Sequence, residues 1–241
     1  MGKVIEMKDK HIKEIVTDYD ALSERCDEID LTKKNTEVQD IVLDIKYTMK
    51  QYDDISGLSA IQIGRSKRVI CLNFDGNLRS FVNPVITSVE GFELSREKCH
   101  SIPGKEYIRP RHSKIKVTYQ TPLGKIESVE FVGMAARVFQ HEIDHLDGLL
   151  LSDVGLEITK EFDEATDEER AEVINMYLES IDVSAEQIDN DIEKDEEAKK
   201  MSDGVKFMNA VKTGKVKLEQ IPWTEEEKKV YDEFVKQNKE G

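Results

Sequence analysis

The sequence predicts an α+β fold, and three observations carry that expectation. An apolar stretch at helical spacing comes first, several short runs rich in β-branched and aromatic residues follow it, and a second helical stretch with a polar face comes later. A helical extension is expected behind that second helix.

The elements follow in order. Residues 36–51 read as a helix, because Val38, Ile41, Val42, Ile45 and Met49 fall on one face and Thr36 stands where a cap is needed. The segment from Gly57 to Gly64 reads as a loop. Val69–Phe74, Phe81–Thr87 and Ile115–Tyr119 read as strands, divided by turn signals at Asp75-Gly76 and Pro122-Leu-Gly124. Gly133 to Leu146 reads as the second helix, with Met134, Ala135, Val138 and Leu146 as inner positions and Gly148 as its stop.

Beyond that helix the character of the chain changes. Thr166-x-x-Glu169, Ser184-x-x-Gln187 and Thr224-x-x-Glu227 each match a capping box ahead of apolar residues at helical spacing: Val173, Ile174 and Tyr177; Ile188 and Ile192; Val230 and Phe234. Phe207, Met208 and Val211 suggest one more short helix. The net charge is −15 in all, but residues 161–241 carry −12 of it and the preceding 160 only −3. The expected division is therefore a catalytic domain over residues 1–155 and an acidic, mostly helical extension over 156–241.

Charge and composition narrow the function. The chain shows no basic stripe of the kind that binds nucleic acid. Its three cysteines, Cys26, Cys71 and Cys99, make no disulfide framework and suit a reducing compartment. The first twenty residues mix Lys, Glu and Asp without an apolar signal region, and no apolar run is long enough to span a membrane. A soluble, cytoplasmic protein is expected.

The informative string is Gln140-His141-Glu142-Ile143-Asp144-His145. Its two histidines stand four residues apart, so on a helix both imidazoles face one cation. Glu142 lies beside the first of them, placed to take a proton from water without occupying a coordination position. A catalytic site needs a third protein ligand, and no histidine lies downstream. Upstream stands Cys99, whose thiolate would suit Fe(II), Zn(II), Ni or Co.

Three stretches together resemble the peptide deformylase family. The family shows a Gly-x-Gly-x-Ala-Ala-x-Gln loop, a Glu-Gly-Cys-Leu-Ser segment and a Gln-His-Glu-x-Asp-His helix. Here Ile55–Gln62, Glu97–Ser101 and Gln140–His145 stand in that order, and the likeness runs over roughly residues 10–152. The resemblance implies mixed β-sheets around the metal-binding helix, and it implies that Cys99, His141 and His145 hold one divalent ion, Fe(II) or Zn(II), with Ni or Co as substitutes. It implies that Glu142 is the general acid and base, and that the Gln62 side chain and the backbone N–H of His100 donate to the oxyanion. Gly57 would let a peptide approach as an added strand. Met134 and Val138 are candidates for the wall of a methionine pocket. Matched to the family, Arg111 and Asp144 are expected to pair and orient the metal-binding helix.

The implied reaction is hydrolysis of the N-formyl group of a formyl-methionyl peptide or nascent chain, releasing formate. Departures from the family are Ile55 for the first loop glycine, Ser59 for an alanine, Lys98 for the glycine before the cysteine and His100 for the leucine after it. Two other readings compete. A zinc endopeptidase would take a downstream carboxylate as third ligand. An adaptor with an acidic tail would have a damaged site, whereas Gln62, Glu142 and all three ligands are present.

Overall fold

The computed structural model describes residues 10–32, 36–74, 76–181 and 183 of the 241-residue chain. By its contacts the chain divides between Lys199 and Lys200, and the described residues all lie in the first unit. The expected helices around Ile188, Phe207 and Val230 fall outside the described residues.

Two antiparallel sheets form the body. Helix α1 (Tyr19–Leu22) and helix α2 (Glu37–Met49) precede strands β1 (Gly57–Ser59), β2 (Val69–Phe74) and β3 (Asn77–Glu90). Then come β4 (Glu93–Cys99), β5 (Ile102–Arg111), β6 (Lys114–Gln120) and β7 (Ile126–Val132), followed by helix α3 (Met134–Leu146). One sheet has the order β1-β2-β3-β6-β7, and the other β4-β5-β8, where β8 is Leu156–Glu157. Strands β1 and β4 are thus the terminal strands of their sheets.

Strand β2 shows why this packing follows from the sequence. Val-Ile-Cys-Leu is buried throughout, so both faces of the strand are covered. Ile70 and Leu72 join the cluster on the α3 side, with Phe81, Phe131 and Phe139. Val69 and Cys71 join the opposite cluster, with Val38, Ile41 and Ile45 of α2. The ring of Phe139 lies 5.2 Å from Phe81 and 5.1 Å from Phe131, which fixes the inner face of α3 against the sheet.

Several expectations are corrected. Thr36 is the N-cap residue of α2 but stays in the helical region and makes no side-chain cap bond. The segment 57–64 is not a plain loop, since β1 pairs with β2 and Ile61–Ile63 forms a 3-10 turn. Gly133 caps α3 from outside. Met134 is 52% exposed and is no core residue, because it opens the helix at the lip of a cavity. Strands β4, β5 and β7 escaped the sequence reading, for a physical reason. Strand β4 alternates buried and outward positions while its letters, Glu-Leu-Ser-Arg-Glu-Lys-Cys, put charged groups on both faces. The inward glutamates are paired in place, and apolar periodicity cannot register that.

Behind α3 lie α4 (Leu151–Val154), β8, α5 (Lys160–Glu164) and α6 (Asp167–Ser180). The capping box of Thr166 and Glu169 forms as expected. Strand β8 pairs with β5 through Leu156 and Ile108. The Tyr177 hydroxyl donates to the Val154 carbonyl at 2.7 Å, and Leu178 is buried. Among the described residues no helix is long and apolar enough to cross a membrane.

Candidate active site

Strands β4 and β5 form a tight hairpin in which Cys99 pairs with Ile102, leaving His100 and Ser101 as the turn. The cysteine is therefore fixed at the last ladder position of β4. Helix α3 presents His141 and His145 one turn apart, with ring centroids 5.0 Å apart. Hairpin and helix bring Cys99, His141 and His145 together, with one ligand atom from each within 4.8 Å of the others. Cys99 Sγ lies 3.3 Å from His145 Nε2. Tetrahedral zinc-type bonds set such ligand atoms about 3.3–3.6 Å apart. The cluster therefore fits a single divalent ion.

A buried chain of charges holds the ligands. His141 Nδ1 donates to Glu97 Oε2 at 2.9 Å, which leaves Nε2 for the cluster. Glu97 is gripped in turn by Arg111, whose Nε and Nη2 donate at 2.7 and 2.8 Å. The third nitrogen of Arg111 donates to Asp144 at 2.6 Å, so the expected Arg111–Asp144 pair is present. Arg109 adds a longer contact to Asp144 at 3.5 Å. Burial pushes the Glu97 carboxyl up, but the bonds from Arg111 and His141 outweigh it and hold the group well below the usual carboxylate range. Without a metal, burial and the charges of His141 and Arg111 keep the His145 pKa well below its ordinary value. At His141 burial is overcome by the contacts with Cys99 and Glu97, which raise the pKa well above its ordinary value, so an ion bound there must displace a proton from His141.

Glu142 lies on the same helix and is almost wholly buried, with Oε2 free of any hydrogen-bond partner. Burial pushes its carboxyl up to about 7, against the opposing effects of His141 and the Ser59 hydroxyl. A carboxyl so placed exchanges protons near neutrality. Gln62 faces it from the 3-10 turn. The Gln62 carbonyl accepts from the Ser59 backbone N–H and hydroxyl, each at 2.9 Å. The amide is thereby oriented with Nε2 toward Cys99 Sγ at 3.6 Å and Ser101 Oγ at 3.2 Å.

Gly57 also has a reason in the packing of the chain itself. A Cβ there would lie 2.7 Å from Glu142 Oε1 and 2.8 Å from Val138 Cγ1. The missing side chain lets β1 close on α3 itself. The His100 ring does not join the ligand set; its Nε2 lies 3.4 Å from Asp54, and Tyr52 packs edge-on against it at 5.1 Å.

Gly57, Gln62, Glu97, Cys99, His100, His141 and Glu142 line one cavity of about 590 Å³, with His145 buried behind Cys99. Its walls include β1 and the preceding Asp54–Ser56 on one side, β4 on another, and Met134, Arg137, Val138, His141 and Glu142 of α3. Glu97, Ser59 and Ser101 were given no role by the sequence reading. Glu97 was within reach, because in a strand it shares a face with Cys99 two residues on. The contacts of Ser59 and Ser101 depend on chain packing that no local pattern encodes.

A mixed α/β body with a buried Cys/His/His cluster, a buried glutamate and an oriented amide donor defines a metal-dependent amide hydrolase. The family profile described as polypeptide deformylase matches residues 12–163, and the chain belongs to that family. A relative from Symbiobacterium thermophilum, named peptide deformylase, is 36% identical over 152 residues, covering 62% of this chain and 70% of that one. The crystal structure of the Thermotoga maritima peptide deformylase superposes with a TM-score of 0.55 at 34% identity, over 59% of this chain and 97% of that one. A class I type b peptide deformylase from Acinetobacter baumannii, solved with Met-Ala-Ser bound, superposes at 0.54 with 26% identity, over 59% and 97% of the two chains.

Proposed function

We propose that this chain removes the formyl group from formyl-methionyl polypeptides in the cytoplasm, with Cys99, His141 and His145 holding Fe(II) or Zn(II), or Ni or Co in substitution. Residues 1–155 carry the chemistry, and residues 156–241 form an appendage to it. The observation that carries the reading is a Cys/His/His cluster whose Cys99 and His141 line one cavity together with buried Glu142 and oriented Gln62.

Cys99, His141 and His145 would hold a divalent ion, which would supply Lewis acidity to water and to the formyl carbonyl. Glu142 takes the proton at its unpartnered carboxylate oxygen and passes it to the departing amine. Gln62 Nε2 and the backbone N–H of His100 donate to the oxygen as charge develops there. The peptide backbone lies as an added strand at the edge of β1, near Gly57, and the methionine side chain turns toward Val138 and Met134. The Met-Ala-Ser ligand of the Acinetobacter relative supports a peptide of this kind.

The test is an anaerobic assay of formate release from formyl-Met-Ala-Ser, with metal analysis of the same sample. Formate release in proportion to bound metal is expected. A fully loaded protein that releases none would overturn the reading.

A further inference from the structure

We propose that this chain favours formyl-methionyl peptides whose second residue is acidic, through a basic row on the outer face of β4. The proposal rests on the deformylase reading and adds the substrate's second position to it.

Strand β4 alternates strictly. Glu93, Ser95, Glu97 and Cys99 point inward, and Leu94, Arg96 and Lys98 point outward while still bordering the cavity. Cys99 ends the strand at the metal cluster. β1 and β4 form two walls of the cavity, so a peptide strand at the edge of β1 with its formyl group at that cluster can lie between the two, running antiparallel to β4 and advancing about 3.3 Å per residue. Successive side chains of such a strand face opposite ways. When the methionine turns in toward Val138 and Met134, the second side chain turns out, to the face where Arg96 and Lys98 stand.

The two cations on that face are not equally engaged. Arg96 is held by Glu106 at 2.9 Å and Asp163 at 3.3 Å. Lys98 is 75% exposed, and among the described residues its one ion-pair contact is the long one to Glu106, at 3.9 Å. Lys98 is thus the looser cation, and it stands where the family segment carries a glycine. Asp54 on the opposite wall is the competing anion, and His100 engages it at 3.4 Å. An aspartate or glutamate at the second position would meet Lys98 as a cross-strand charge pair, and a lysine would meet repulsion.

The experiment compares kcat/KM of the metal-loaded full chain on C-terminally amidated formyl-Met-Asp-Ser, formyl-Met-Ala-Ser and formyl-Met-Lys-Ser. At low salt the Asp-to-Lys ratio should be about three- to tenfold, the size expected of exposed charge pairs. It should fall toward one near 1 M salt, where screening acts over about 3 Å. Lys98→Glu should invert the ratio, and Lys98→Gln, the gentler change, should bring it toward one. A wild-type ratio at or below one, or a ratio unmoved by either variant, overturns the proposal. Equal turnover of all three peptides would refute the specificity alone, whereas no formate from formyl-Met-Ala-Ser would refute the deformylase reading beneath it.

Discussion

Glu97 accepts from His141 Nδ1 at 2.9 Å while Arg111 grips both of its oxygens, so a strand residue sets the orientation of a ring on the helix opposite. Removing that acceptor frees the ring to rotate. Glu97→Ala should weaken metal binding by about 10- to 100-fold, the usual effect of losing a ligand's hydrogen-bond partner. Arg111→Ala should cost about 3–5 kcal/mol of stability, because it strands the buried Glu97 carboxylate and leaves Asp144 only the longer contact to Arg109. Metal titration by competition with a chelator and urea unfolding read the two effects. Unchanged metal affinity in Glu97→Ala would show that His141 is held by packing alone.

Glu142→Gln should lower turnover by about 10²–10⁴-fold and leave metal content unchanged, since the glutamate moves a proton and does not ligate. Steady-state formate release and metal analysis on one preparation check both. Loss of the metal together with activity would place Glu142 among the ligands.

Cys99→Ser should strip the ion, because a neutral hydroxyl replaces a thiolate. Retained metal and retained activity would revive an endopeptidase-type site completed by a carboxylate.

Cys71 gives a pH test. Burial pushes its thiol from 9.0 up to about 11, with the Ser80 hydroxyl opposing. The folded state favours the neutral thiol, so this contribution to stability is fully present below pH 9. Between pH 9 and about 11 the unfolded chain ionises first, and stability falls as pH rises, by about 2–3 kcal/mol for a shift of this size. Cys71→Ala should therefore show a shallower alkaline decline in its urea midpoint than the parent, whatever its stability at pH 7. Parallel declines would mean that Cys71 ionises normally in the fold.

Two shortened chains separate chemistry from support. A chain ending at residue 183 keeps α6, with Leu178 buried and Tyr177 bonded to Val154. A chain ending at residue 160 loses both contacts. Each should bind metal and release formate, but the shorter should be less stable by about 2–4 kcal/mol. If the shorter chain folds yet cannot turn over a small formyl peptide, α6 contributes to the site.

The metal-binding helix was legible in the sequence because its period, its two histidines and its stop at Gly148 are all local signals. A side chain at Gly148 would strike the Ser23 carbonyl at 2.4 Å, and the residue adopts φ +75°, so the stop is doubly required. Cys99 was less legible. Its burial says nothing of ligation until the hairpin turn at His100-Ser101 carries it to α3, and only the likeness to a family pointed there beforehand. Strand β4 was illegible as a strand, since its inward Glu93 and Glu97 are stabilised by Arg137 and Arg111, which lie 44 and 14 residues away. The exposed position of Met134 was missed for the opposite reason, as an apolar residue in phase with a helix face that opens onto a cavity.

The contact of β1 with α3 at Gly57 bears on escape from inhibitors. A compound that binds through the main chain of β1 presents no side chain that could be exchanged to repel it. A side chain added at Gly57 would reshape that edge, but its Cβ would lie 2.7 Å from Glu142 Oε1. If Glu142 carries the proton as proposed, resistance at this position would also cost turnover, so escape variants should arise instead along the outer row of β4 or at the lip formed by Met134.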